Sequence, residues 1–100
     1  MIVIRFKAKC QPGKIEEALA LFTKVIAPSR ATAGVVSFDI GRDLADPDSI
    51  LATEVFDDQA ARDRQESLPE VASVMSALPQ MIAAPPEATI YHVSSSESAM

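Results

Sequence analysis

Hydrophobic positions change their period along this chain, and the changes mark out its elements. From Ile2 to Cys10 they alternate, with Ile2, Ile4, Phe6 and Ala8 on one side and Val3, Arg5, Lys7 and Lys9 on the other. Successive strand side chains point to opposite faces, so this predicts a strand with one apolar and one mixed face. Gln11-Pro12-Gly13 breaks it. From Lys14 the period lengthens: Ile15, Ala18, Leu19, Phe22, Val25 and Ile26 recur at spacings of three and four, a helix stripe facing a core. Lys14, Glu16, Glu17 and Lys24 sit mainly off that stripe, and Pro28 with the small residues up to Gly34 is expected to end the helix.

A second strand is predicted from about Val35 to Arg42 and a third from Ile50 to Phe56, joined by the Asp- and Pro-rich turn Asp43–Ser49. Asp57 or Asp58 is placed to cap a short polar helix ending near Glu66. Ser67-Leu68-Pro69-Glu70 reads as a capping box for a further helix, with Val71, Val74, Met75, Leu78 and Ile82 on one face and a break or kink at Pro79. After Pro85-Pro86, Ala88–Val93 is a last strand, and the polar tail 94–100 is expected to be disordered. The order is βαββαβ, an α+β ferredoxin-like domain over residues 1–93 with an antiparallel sheet and helices on one face. The other face is left bare in a monomer, with Val3, Val36, Phe38, Ile40, Leu51 and Val55 as candidates for it; two copies packed together would cover it.

Length and charge narrow the function. One hundred residues make one domain, and 48% hydrophobic residues suffice for a core. A net charge of −5 argues against nucleic acid and against an anionic membrane surface. No apolar stretch approaches the roughly 20 residues that span a bilayer. The start Met1-Ile2-Val3-Ile4-Arg5 is apolar first and basic second, the wrong order for a signal peptide. The single Cys10 cannot form an internal disulfide, which fits the cytoplasm. One His and one Cys cannot build a zinc site, and Asp43, Asp46 and Asp48 lack the glycine and distal glutamate of a calcium loop. No metal is expected, and the absence of a glycine-rich phosphate loop leaves no support for a nucleotide cofactor.

Pro12-Gly13-Lys14, Gly34-Val35-Val36-Ser37-Phe38, Asp46-Pro47-Asp48 and Glu54-Val55-Phe56 stand in an order and spacing that resembles the antibiotic-biosynthesis monooxygenase family. The resemblance covers roughly residues 1–93. It implies a dimeric α+β barrel, a homodimer with a ligand cavity in each subunit between sheet and helices. It also implies oxidation of polycyclic phenols or quinols by dioxygen without metal or flavin. Departures stand beside the matches: Phe38 where the family often has tyrosine, Phe56 at the usual tryptophan, and Gln65 where a histidine commonly falls. The chain has no tryptophan and no asparagine, which excludes the residue set of the haem-degrading relatives.

Cofactor-free oxygenation needs a dry pocket for an aromatic, a base to remove a proton, and access for dioxygen. Glu54 is the candidate base, sharing a strand face with Ile50, Ala52 and Phe56, where apolar surroundings would raise its pKa. Its structural alternative is an ion pair with Arg5 or another strand residue. His92, the single histidine, could shuttle protons at a cavity mouth or lie exposed on the surface. Gln65 could hydrogen-bond a substrate oxygen or sit on a solvated helix face. Arg5 could stabilise a phenolate or form a salt bridge. Phe22, Phe38, Phe56 and Met75, with Phe6 and Met81, could wall an aromatic site or be plain core.

The expectation is therefore a cofactor-independent monooxygenase acting with dioxygen on a small quinol-like or polycyclic aromatic. Two alternatives remain: a non-catalytic dimeric binding domain that kept the cavity, and a cofactor-free isomerase or decarboxylase on the same frame.

Overall fold

In the computed structural model, which describes residues 1–100, the N-terminal alternation becomes strand β1 (Ile2–Lys9). Helix α1 (Ile15–Arg30) follows, then β2 (Val35–Arg42), β3 (Ser49–Phe56), α2 (Gln59–Glu66), α3 (Pro69–Ala77), a 3-10 turn over Leu78–Gln80, and β4 (Glu87–His92). The four strands form one antiparallel sheet in the order β2-β3-β1-β4. This is the ferredoxin-like α+β topology expected from the sequence. Residues 94–100 form no regular element, and no helix is long and apolar enough to cross a membrane.

The period-two pattern decides which face is covered. Ile2, Ile4 and Ala8 of β1 and Ile50, Ala52 and Phe56 of β3 are all buried beneath the helices, while Arg5, Lys9, Leu51 and Thr53 between them are exposed. Ile15, Ala18, Phe22 and Val25 carry the apolar stripe of α1 onto Ala8, Phe38 and Ile50, with Val74, Leu78 and Met81 closing the main core. A smaller cluster, Ile2, Ile4, Phe56 and Ala61, holds α2 on the other end of the sheet. Close approach there depends on Gly34. Its φ of +85° is a left-handed value, and a Cβ at this position would lie 2.5 Å from Ala61 Cβ.

Three local expectations are corrected. Phe38 and Ile40 belong to the covered face, not the bare one, because a register shift between Val35 and Ser37 changes the phase of β2. Helix α1 runs through Pro28 to Arg30. Pro28 supplies no N–H to the preceding turn, but tertiary contacts keep the chain helical beyond it. Ser29 is buried under Gln65, and Arg30 Nε donates to the Phe38 carbonyl at 2.9 Å. Ser67 does not cap α3; it closes α2, its hydroxyl donating to the Asp63 carbonyl at 2.7 Å. Pro69 occupies the first turn of α3 and forces the residue before it into an extended conformation, so Leu68 takes the cap position without a side-chain bond. The Asp58 cap of α2 is as expected, its Oδ1 accepting from Ala61 N at 2.9 Å.

On the uncovered face the register sets Val3 between Val55 and Tyr91, and Arg5 between Thr53 and Thr89. Every residue of β4 is exposed, because the helices lie over the other three strands. That leaves an opening along β4 between the sheet and α3.

Candidate functional site

The opening leads into a cavity of about 590 Å³ between the sheet and the helices. Twelve of its seventeen lining residues are hydrophobic, so a ligand that fills it must present mainly apolar surface. Phe6 and Phe22 meet in its wall with ring centroids 6.0 Å apart and planes tilted by 39°. Val71, Val74 and Met75 of α3 face them, and Pro86, Ala88 and Ile90 stand at the open side. The polar lining is confined to one end: Glu54 on β3, and Arg62, Gln65 and Glu66 on α2.

Glu54 lies in a row of cross-strand neighbours that is otherwise apolar: Phe38, Glu54, Ile4, Ile90. It forms no salt bridge, and no side-chain hydrogen bond reaches it. Burial among these groups pushes its pKa up to about 7, and the negative charge of Glu66 pushes the same way; the Arg62 guanidinium pulls partly back. Arg62 itself is held by Glu66, Nε to Oε1 at 2.8 Å, one helical turn apart. Near neutrality Glu54 is thus divided between carboxyl and carboxylate, the condition of an effective general base or acid.

Gln65 is the most enclosed polar group of the site, 2% exposed. Its Nε2 donates to Ser29 Oγ at 3.0 Å, a bond that ties α2 to α1. Helical spacing explains why this residue points inward: Ala61 and Gln65 are four apart, and both are buried.

Six of the residues singled out in the sequence meet in this cavity: Glu54, Phe6, Phe22, Phe38, Gln65 and Met75. Four do not. Met81 is buried in the main core, outside the cavity lining. Arg5 alternates with Ile4 and Phe6 and so projects from the opposite face of the sheet, where it neither reaches the cavity nor pairs with Glu54. Phe56, fully buried, packs on Ile2, Ile4 and Ala61 beneath α2 and is a core residue. His92 pairs with Ile2 at the exposed end of β4, beyond the cavity wall. Arg62, Glu66 and Ser29 were not anticipated. The signal for the first two was their i, i+4 spacing beside Gln65; Ser29 gave none.

Cys10 is buried, and desolvation followed by the Asp48 charge pushes its thiol pKa up, which disfavours the nucleophilic thiolate. No three His, Cys, Asp or Glu side chains gather where they could hold a metal ion.

Residues 1–76 match the antibiotic biosynthesis monooxygenase family. The uncharacterized protein sll1783 of Synechocystis is 31% identical over 97 residues, and this chain spans 66% of its length. Among solved structures, Rv0793 from Mycobacterium tuberculosis superposes with a TM-score of 0.88 at 18% identity, over 97% of this chain and 98% of that one. Protein SO0527 from Shewanella oneidensis does so with a TM-score of 0.85 at 22% identity, over 92% and 89% of the two chains. At these identities the superpositions speak for the fold.

Proposed function

Since the chain belongs to the antibiotic biosynthesis monooxygenase family, we propose that it is a cofactor-independent monooxygenase acting on a quinol-like or polycyclic aromatic with dioxygen. The observation that carries this reading is the unpaired Glu54 carboxyl, set in an apolar row at the polar end of a cavity sized for two or three fused rings.

The reaction balances without a metal or flavin. Glu54 takes a proton from a ring-activated CH2 of the bound aromatic. The resulting anion passes two electrons to dioxygen in one-electron steps as a C–O bond forms, and the peroxide recovers the proton from Glu54. Removal of the second C–H proton then expels hydroxide as the O–O bond breaks and C=O forms; hydroxide and that proton leave as water. One oxygen atom enters the product and one enters water. The apolar wall keeps bulk water from the anion, and Arg62 is the one cation lining the cavity near the developing charge.

The test is dioxygen uptake by metal-free protein offered naphthols, quinols and anthrones, with uptake in the absence of protein subtracted. Saturable uptake is expected. No uptake, with clear thermal stabilisation by the same aromatics, would instead favour a non-catalytic binding domain; turnover without oxygen would favour an isomerase or decarboxylase. The binding reading has one observation of its own: Phe38 and Gln65 line the cavity without a titratable group, which leaves it fewer groups for proton transfer.

We further propose a homodimer formed through the uncovered sheet face, on the strength of Val3, Leu51, Val55 and Tyr91 lying there together. Sedimentation at micromolar concentration should find a species of twice the 10.7 kDa chain. A single-chain mass would sink the proposal. A cytoplasmic location goes with this reading, supported by a single free thiol kept in the core.

A further inference from the structure

One polar atom in the cavity has no use in the chemistry above. Gln65 is 2% exposed, and its carboxamide is anchored at one end only, by Nε2 donating to Ser29 Oγ. Its Oε1 accepts no hydrogen bond from the protein. The sole sealed side-chain polar atom without a partner in the chain is Glu70 Oε2. Gln65 Oε1 is therefore not fully sealed, and the cavity that Gln65 lines is the space from which a partner can reach it. A buried carbonyl oxygen left dry and unpaired is destabilising, so a ligand that displaces water from the cavity must satisfy this oxygen or bind more weakly.

We infer that Gln65 is the specificity-determining residue of the cavity, accepting a hydrogen bond from a ring hydroxyl of the aromatic ligand. This rests on the reading that the cavity takes an aromatic, but it does not depend on turnover. Ser29 is the positioning residue: by occupying Nε2 it turns the oxygen, and not the amide N–H, toward the ligand. At Gln65, consequently, a ligand group that donates is favoured over one of equal size that only accepts; Arg62, the one lining cation, is held through Nε by Glu66. Glu54 ionised beside it strengthens the same preference, since a carboxylate also only accepts. The apolar walls contributed by Phe6, Phe22 and Met75 are indifferent to this choice and bind the rings alone.

Binding without oxygen tests the inference apart from catalysis. Calorimetric titration under anaerobic conditions would compare 2-naphthol, 2-methoxynaphthalene and 2-acetylnaphthalene, which share the rings and differ in donating or accepting. The protein as it stands is expected to prefer 2-naphthol over the methyl ether by several-fold to about tenfold, the worth of one neutral hydrogen bond. Gln65→Met, similar in volume, should abolish the preference while leaving the affinity for the ether within about twofold. That unchanged ether affinity shows that the cavity has stayed folded. Ser29→Ala should shrink the preference by releasing the carboxamide. A preference that persists in Gln65→Met overturns the inference. So does a Gln65-dependent gain for the acetyl compound, since it would mean that the amide N–H faces the ligand. If none of the three binds at all, the aromatic-cavity reading falls together with it.

Discussion

Glu54→Gln is expected to lower oxygenation by about 10²–10⁴-fold, the usual contribution of a positioned general base, and to raise stability in alkaline solution. Both effects follow from one shift. The Glu54 pKa is raised from 4.5 to about 7 in the fold, so between those values the folded chain binds a proton that the unfolded chain has released. Stability is then fully present below about pH 4.5 and declines as pH rises through 7. Above that point the ionised carboxylate is an internal cost on the order of 3 kcal/mol, which the glutamine does not carry. Denaturant midpoints should therefore coincide for the two proteins near pH 4 and diverge near pH 8, with the variant the more stable. Turnover of the unaltered protein should rise with pH through about 7, the range in which the base form appears. In Glu66→Gln that midpoint should move down, because a neighbouring negative charge is gone; in Arg62→Gln it should move up. A Glu54→Gln variant that keeps its turnover would remove the base from the mechanism. One that loses stability at every pH would show a structural partner for the carboxyl that the cavity geometry does not contain.

The same residue shows what the sequence could and could not convey. Glu54 stands out because it interrupts the alternation Ile50, Ala52, Glu54, Phe56, and a period of two puts it on the covered face with no further information. Arg5 is excluded by that same rule: it falls between Ile4 and Phe6, so a role beside Glu54 conflicts with a strand pattern already legible in the chain. Phe38 is different. Its side depends on the register shift after Val35, and a bulge leaves no mark in a run of hydrophobic residues. Ser29 is concealed by Pro28, which reads as a helix stop; only contact with α2 and β2 explains why the helix persists for two more residues. Arg62 and Glu66 look like solvated charges on a helix with little hydrophobic content, and their bearing on Glu54 arises from the placement of α2 over the end of β3. Local periodicity thus yields the elements and most of the core. The polar end of the cavity is assembled from elements distant in sequence, and that assembly is a tertiary fact.

Phe56→Ala should be the most destabilising single change in the chain, costing about 3–5 kcal/mol as a fully buried aromatic truncated in a packed cluster. For a domain of this size that corresponds to a fall in Tm on the order of 10–30 °C, measurable by circular dichroism. The reason is architectural. Phe56 ends β3 opposite Ile2 and Val35 and meets Ala61 on the inner side of α2. The four buried residues of that cluster are what seat α2 on the sheet, and α2 carries Arg62, Gln65 and Glu66 to the cavity. Phe56→Leu, which keeps much of the volume, should lose only part of the stability. This pair of variants also separates core from wall. Were Phe56 in contact with the ligand, the leucine variant would alter affinity for 2-naphthol at temperatures where it remains folded. Affinity is instead expected to hold in Phe56→Leu and to fail in Phe56→Ala only as the protein unfolds, because Phe56 acts on the ligand solely by fixing the helix that meets it.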